Sequence, residues 1–173
     1  MARSIDPLVV GRVVGEVIDM FVPSVEAAVY YGSKQVTNGC EIKPSATVQR
    51  PTVQIRRTYD KTLYTLVMTD PDAPSPSEPS MREYVHWVVT DIPGGTDACQ
   101  GKEVLPYVGP RPPIGIHRYV FVLFKQRGPM IMTTPPQPRN NFSTRAFAAH
   151  HGLGLPVAAV YFNAQKEPGA RKR

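Results

Sequence analysis

From residue 25 onward, apolar and β-branched residues fall in short runs, each bounded by Pro, Gly, Asn or Asp. Runs at 25–31, 52–57, 62–69, 84–91, 118–125 and 156–163 have the length and the Val, Tyr, Phe and Thr content of strands. Two of them, Leu63-Tyr64-Thr65-Leu66-Val67-Met68 and Tyr119-Val120-Phe121-Val122-Leu123-Phe124, are apolar on both faces. A strand reads that way when it is central and covered on both sides. Helical signals are confined to the ends. Asp6-Pro7 supplies an N-cap and a first-turn proline for a short helix over 7–14, weakened by Gly11. Ser143 caps a second helix over 144–151, which Gly152 stops. The pattern predicts one mainly-β domain over 1–173 with short peripheral helices, ending in a flexible basic tail at about 168–173.

Composition sharpens this picture at three points. Proline makes up 19 of 173 residues, about twice the usual share. The prolines cluster between strands, in Pro71-Asp72-Ala73-Pro74-Ser75-Pro76, Pro110-Arg111-Pro112-Pro113 and Pro135-Pro136-Gln137-Pro138. Stiff, pre-shaped loops follow from the fixed φ of each ring. The net charge of +6 favours acidic partners, although Arg56-Arg57 and Arg171-Lys172-Arg173 are its only tight clusters. Cys40 and Cys99 have no metal-ligand spacing, and each reads as a small apolar residue rather than a disulfide partner. The first residues lack an apolar signal core, and no run approaches the roughly 20 residues of a membrane span. A reducing compartment is the expectation.

Four polar residues lie at the ends of apolar strands or inside them: Asp70, Asp72, His86 and His117. By the period of two, His86 shares a face with Tyr84 and Val88, while Trp87 points the other way into the core; His117 shares a face with Tyr119 and Phe121. A carboxylate beside a histidine raises its pKa and orients its ring. A doubly protonated imidazole could then donate to an anion, helped by backbone N–H groups of Gly109, Arg111 or Gly115. The same residues also allow plainer readings: an Asx turn at Asp70-Pro71-Asp72, and buried histidines held for structure. A third reading is a metal-assisted phosphohydrolase built on the two Asp and two His. There is no Gly-x-Ser-x-Gly elbow, no phosphate-binding glycine loop, and no interleaving of aromatic and basic residues that would predict direct DNA binding.

Three ordered motifs raise the pocket reading above the others. Asp70-Pro71-Asp72-Ala73-Pro74, Arg82-Glu83-Tyr84-Val85-His86-Trp87 and Gly115-Ile116-His117-Arg118-Tyr119 resemble the phosphatidylethanolamine-binding protein family. The resemblance runs from Asp6 to about Pro168. Met68-Thr69-Asp70 through Ser77 and Leu153-Gly154-Leu155-Pro156 are similar to the plant florigen and TERMINAL FLOWER type proteins. Asp6-Pro7-Leu8-Val9-Val10-Gly11-Arg12-Val13 and Tyr161-Phe162-Asn163-Ala164-Gln165-Lys166-Glu167-Pro168 are most similar to the MOTHER OF FT subgroup.

The resemblance implies a large antiparallel sheet packed on a smaller one, and a cavity for phosphate or a phospholipid headgroup. Asp70, Asp72, His86, Pro112, His117 and Tyr119 would line it, with Tyr84 and Gly109 beside them. It implies a monomeric, non-catalytic regulator without cofactor or metal, in cytoplasm and nucleus, acting in seed germination, dormancy or flowering. A 14-3-3 protein, and through it a basic-zipper transcription factor, are the implied partners, with Lys61, Pro93 and Arg127 on the contact surface. Tyr84 is florigen-like. Pro138 and Asn140 depart from the florigen pattern in the 133–142 loop, and Gln100 and Pro129 depart from it on the partner surface.

Overall fold

The computed structural model describes residues 6–56, 58, 61–131 and 134–168. Among these residues, nine strands form two sheets. β1 (Glu26–Tyr31), β2 (Lys34–Gln35) and β4 (Thr52–Arg56) make the small one, in the order β2-β1-β4. The large sheet contains β3 (Cys40–Glu41), β5 (Leu63–Asp70), β6 (Tyr84–Pro93), β7 (Lys102–Leu105), β8 (His117–Lys125) and β9 (Ala158–Ala164), in the order β3-β9-β8-β5-β6-β7. Its pairings are antiparallel except for the short parallel contact of β3 with β9. The mainly-β architecture expected from the sequence is the one observed. β2, β3 and β7 are edge strands of two to four residues, too short to register as a periodic pattern.

β5 and β8 lie at the centre, and both faces of each are covered. Leu66, Met68, Tyr119, Phe121 and Leu123 point into a core shared with Val29, Val53 and Ile55 of the small sheet. The alternate residues Val67, Val120, Val122 and Phe124 point into a second core beneath the helical segments, with Leu8, Val13, Phe21 and Phe147. Doubly covered strands explain the two continuous apolar runs.

The N-terminal helix is shorter than its pattern predicts. α1 (Asp6–Val10) stops at Gly11, Arg12 turns left-handed at φ 62°, and one irregular turn, α2 (Val13–Glu16), follows. Gly11 is required there by packing: a Cβ would lie 2.3 Å from the Tyr161 hydroxyl. α3 (Thr144–His150) begins as expected, with the Ser143 hydroxyl accepting from the Ala146 N–H, and ends at Gly152 in the left-handed region. The cysteines are both free, but Cys99 is exposed and Cys40 half-buried, so neither is the buried apolar residue expected. Among the described residues no helix is long and apolar enough to cross a membrane. Arg57 and residues 169–173 of the basic tail lie outside the described residues.

Candidate functional site

Adjacent ends of three neighbouring strands build one site. Asp70 ends β5, Tyr84 begins β6 opposite it, and His117 begins β8 on the other side. The 108–113 loop closes the top. Together they enclose a cavity of about 370 Å³ lined by Asp70, Tyr84, His86, Gly109, Pro112, His117 and Tyr119. Seven of the eight ligand-site residues expected from the sequence are therefore brought together. Ala73, Pro74, Met81, Val108, Arg111 and Pro113 complete the wall.

His86 shares the cavity face with Tyr84, as the period of two predicts, but the alternation breaks one residue later. Val85 pairs with Thr69 and Trp87 with Met68, leaving His86 as an extra residue in β6. Such a bulge turns two successive side chains toward one face. Trp87 is core, as expected, but it belongs to the same inter-sheet core as Met68 and Tyr119 rather than to the opposite face. Val88 is the residue that points away, into the second core. His86 thereby packs edge-on between Tyr84 and Tyr119, with ring centres 5.0 and 5.3 Å away.

The surroundings of the two histidines push their pKa values in opposite directions. His117 Nδ1 donates to Asp70 Oδ2 at 2.7 Å, and Nε2 donates to the Ile114 carbonyl at 2.9 Å. The Ile114 carbonyl can only accept, so Nε2 carries a proton, and the Asp70 carboxyl group at Nδ1 favours the doubly protonated ring. Burial opposes this charge, but the bond to Asp70 and its negative charge more than offset burial and raise the pKa. His86 Nδ1 donates to the Val108 carbonyl at 2.6 Å, and no carboxylate bonds it. Burial holds its pKa below the ordinary value, so the ring is neutral and Nε2 carries a lone pair. The expected chain from Asp to His to anion therefore breaks at His117, whose N–H groups are both committed inside the protein. His86 is the ring free to meet a ligand.

Asp72 is the ligand-site residue that does not line the cavity. Its carboxylate turns away and accepts from Arg118 three times, from the backbone N–H (2.8 Å), Nε (2.9 Å) and Nη2 (2.6 Å). Arg118 also reaches Glu16 Oε1 at 2.6 Å and the Gly11 carbonyl at 2.8 Å, which ties the N-terminal turns to the site. Burial favours the neutral acid, yet the bonds and charge of Arg118 win and lower the Asp72 pKa. A buried carboxylate takes the strongest available donor, and a guanidinium exceeds any pocket ligand in that respect. Asp70 is paired to His117 and Asp72 to Arg118, and among the described residues no three His, Cys, Asp or Glu side chains converge on a metal position.

Residues that hold the site in place were not singled out from sequence. Arg139 donates to the carbonyls of Val85 (3.2 Å), His86 (3.0 Å) and Pro106 (2.8 Å), fixing the backbone on which His86 sits. The 139–142 segment runs along the start of β6, through Val85 N–H to the Arg139 carbonyl and reciprocal bonds between Glu83 and Phe142. The divergent loop thus abuts Tyr84 and His86. Glu83 is buried, accepts from Thr69 (2.9 Å) and Thr144 (2.5 Å), and burial pushes its carboxyl up. Of the three expected partner residues, Lys61 and Arg127 line a separate groove of about 840 Å³ together with Lys125 and Pro129. Pro93 is paired with Leu63 on the neighbouring strand end and is not part of that wall. Gln100 lies elsewhere, in a short 3₁₀ turn.

The fold and the site define a phosphatidylethanolamine-binding protein architecture, and comparison with known proteins agrees. The family model described as "Phosphatidylethanolamine-binding protein" matches residues 32–162. The chain is 57% identical over 175 residues to the Protein MOTHER of FT and TFL1 homolog 2 of Oryza sativa subsp. japonica, covering 100% of both chains. It is 53% identical over 171 residues to Protein TERMINAL FLOWER 1 of Arabidopsis thaliana, covering 99% of this chain and 97% of the other. The solved phosphatidylethanolamine-binding protein from Plasmodium vivax superposes with a TM-score of 0.83 at 23% identity, over 96% of this chain and 99% of that one, a likeness of fold. The chain belongs to the phosphatidylethanolamine-binding protein family.

Proposed function

We propose that this protein is a non-catalytic regulator of plant development whose cavity takes phosphate or a phospholipid headgroup. The supporting observation is the charge state of the cavity wall. Asp70 is matched by His117, Asp72 is turned out to Arg118, His86 is neutral, and Arg111 stands on the wall without a carboxylate partner among the described ion pairs. The wall thus holds one unmatched cation and no unmatched carboxylate. The backbone N–H groups of Gly109 and Arg111 also make no hydrogen bond among the described residues. An incoming phosphate meets these donors and can protonate His86, turning its Nε2 from acceptor to donor.

We propose that the regulation acts in seed germination, dormancy or flowering, in cytoplasm and nucleus; relatives such as Protein TERMINAL FLOWER 1 support a developmental role. The Lys61 and Arg127 groove is the proposed seat of a 14-3-3 protein, which would bridge to a basic-zipper factor. A thermal-shift titration tests the cavity. Inorganic phosphate and phosphoethanolamine should raise the melting temperature of the wild type, because a ligand at a hundredfold excess over its Kd adds about 2.7 kcal/mol. His86→Ala should abolish most of that rise. Stabilisation by a divalent metal together with phosphatase turnover would replace this reading with the hydrolase. Loss of 14-3-3 capture on Arg127→Glu tests the groove.

A further inference from the structure

β6 carries a second irregularity at the end far from the cavity. Tyr64 of β5 pairs with Ile92 and Leu66 with Val89, so Thr90 and Asp91 together oppose Thr65 alone. Asp91 takes the left-handed conformation there, at φ 57°. A non-glycine residue is strained in that region, and the strain persists only where surrounding bonds hold it. The bulge aims Asp91 across the end of β5 toward Gln126, the residue that follows β8. Gln126 is buried at 5% exposure, and its amide makes all four hydrogen bonds open to it. Its Oε1 accepts from Thr65 Oγ1 (2.7 Å) and the Asp91 N–H (2.8 Å), and its Nε2 donates to Asp91 Oδ1 (2.7 Å) and the Gly128 carbonyl (2.9 Å). Asp91 Oδ1 accepts a further bond from the Met130 N–H at 2.9 Å. One pair of side chains thus joins β5, β6 and β8 and fastens the 126–130 segment at Gly128 and Met130.

What this segment presents is charge. Lys125 and Arg127 are exposed on either side of the buried Gln126, and both line the 840 Å³ groove together with Lys61. Among the described residues no acidic side chain lines that groove. Three like charges repel one another, so a segment without a tether swings its cation away from the other two. Packing supplies no tether at Gly128, where a Cβ would meet nothing within 4 Å. The hydrogen bonds of Asp91 and Gln126 supply it instead. We propose that Asp91 and Gln126 are positioning residues for this groove, holding Arg127 beside Lys61 and Lys125 at a fixed spacing that an acidic partner surface meets. The proposal rests on the reading of the groove as a partner site. Asp91 acts through Arg127 without touching the partner, because its Oδ1 is committed to Gln126 and Met130. Charge held in place before contact contributes more to binding than charge that must be ordered on contact.

The test measures binding of the full-length protein to a 14-3-3 protein by calorimetry, for wild type, Asp91→Gly, Asp91→Asn, Arg127→Ala and the double variant Asp91→Gly/Arg127→Ala. Glycine adopts the left-handed conformation freely but lacks the acceptor, so it opens the latch without backbone strain. Asparagine keeps both the conformation and an Oδ1 acceptor. Asp91→Gly should weaken binding roughly fivefold, the size at which an interface side chain counts as contributing. Asp91→Asn should bind as the wild type does. In the Arg127→Ala background, Asp91→Gly should cause no further loss, because the charge it positions is gone. Hydrogen exchange of the Met130 amide should quicken in Asp91→Gly and not in Asp91→Asn, while the Val67 and Val120 amides of the central strands keep their wild-type rates. Wild-type affinity in Asp91→Gly overturns the positioning role. So do additive losses in the double variant, or exchange that quickens at Val67 and Val120 along with Met130, since either makes Asp91 a residue of the fold at large. A wild type that does not bind the 14-3-3 protein overturns the groove reading, and the positioning role with it.

Discussion

His117 Nδ1 and Asp70 Oδ2 lie 2.7 Å apart, with side chains only 1% and 5% exposed, and this ion pair sets the charge of the cavity floor. Its stabilisation depends on pH in a definite sense. The raised pKa of His117 means the folded protein holds this proton more tightly than the unfolded chain does. The contribution is complete below the unfolded histidine value of about 6.5 and is lost as pH rises through the folded pKa. Asp70→Asn removes the group that raises the His117 pKa, so burial leaves the ring neutral, at a cost of roughly 1.5–3 kcal/mol for the lost charge-assisted hydrogen bond. Urea unfolding of both proteins across pH 5–9 checks this, and the variant should lose the alkaline decline that His117 produces.

His86 carries the opposite slope. Its lowered pKa means the unfolded chain binds the proton first, so stability falls as pH drops below about 6.5 toward the folded pKa. A bound phosphate would reverse this preference, so binding should take up a proton near neutral pH and tighten as pH falls. Titration calorimetry in buffers of different ionisation enthalpy measures that uptake. No uptake, and an affinity unchanged between pH 5 and 8, would show that His86 meets the ligand uncharged.

Arg118→Met leaves the Asp72 carboxylate, whose side chain is 4% exposed, and Glu16 with the longer 3.5 Å contacts of Arg82 Nη2. A loss of roughly 1.5–3 kcal/mol is expected, the range for removing hydrogen bonds to a charged group while Arg82 keeps part of the charge matched. Adding Asp72→Asn to that variant should recover part of the loss. A double-mutant cycle read from chemical denaturation therefore yields a coupling well above the few tenths of a kcal/mol typical of separate sites.

Arg139→Gln removes the donor that spans the carbonyls of Val85, His86 and Pro106. The bonds are partly exposed, so the stability loss should be about 1–2 kcal/mol. The effect on phosphate affinity should be larger in proportion, because the His86 backbone loses its register. Nitrogen chemical shifts of the His86 ring report the change directly: the Nδ1–H signal should broaden in the variant and stay sharp in the wild type.

Tyr84 lines the cavity and packs on His86, yet it is only partly buried. Tyr84→His should therefore shift ligand or partner preference while melting within a few degrees of the wild type. A change of about 1 kcal/mol corresponds to roughly 2–8 °C across domain sizes, and a larger loss would mark the ring as structural.

Much of this arrangement was readable from local pattern. The two doubly apolar runs identified the central strands, since continuous apolarity requires cover on both faces. His117 fell on the face of Tyr119 because no irregularity interrupts β8 between them. Ser143 announced α3 through its own hydroxyl. These are features in which a residue's neighbours in sequence are also its neighbours in space.

The chain by itself thus determined which strands are covered on both faces and where the stiff proline loops lie, and its resemblance to the family marked most of the residues that gather at one end of the large sheet. Tertiary structure decided what each of them does there. Whether Trp87 joins the His86 face and Val88 turns away depends on a bulge, and the bulge arises from the register of β6 against β5, which no period along one strand records. Whether Asp72 meets a ligand depends on Arg118, which lies 46 residues away in sequence. Whether His117 can donate to an anion depends on the Ile114 carbonyl already occupying its second nitrogen. A polar side chain in a low-dielectric interior bonds the best partner within reach, and which partner is within reach is fixed only when the strands have paired and the loops have closed.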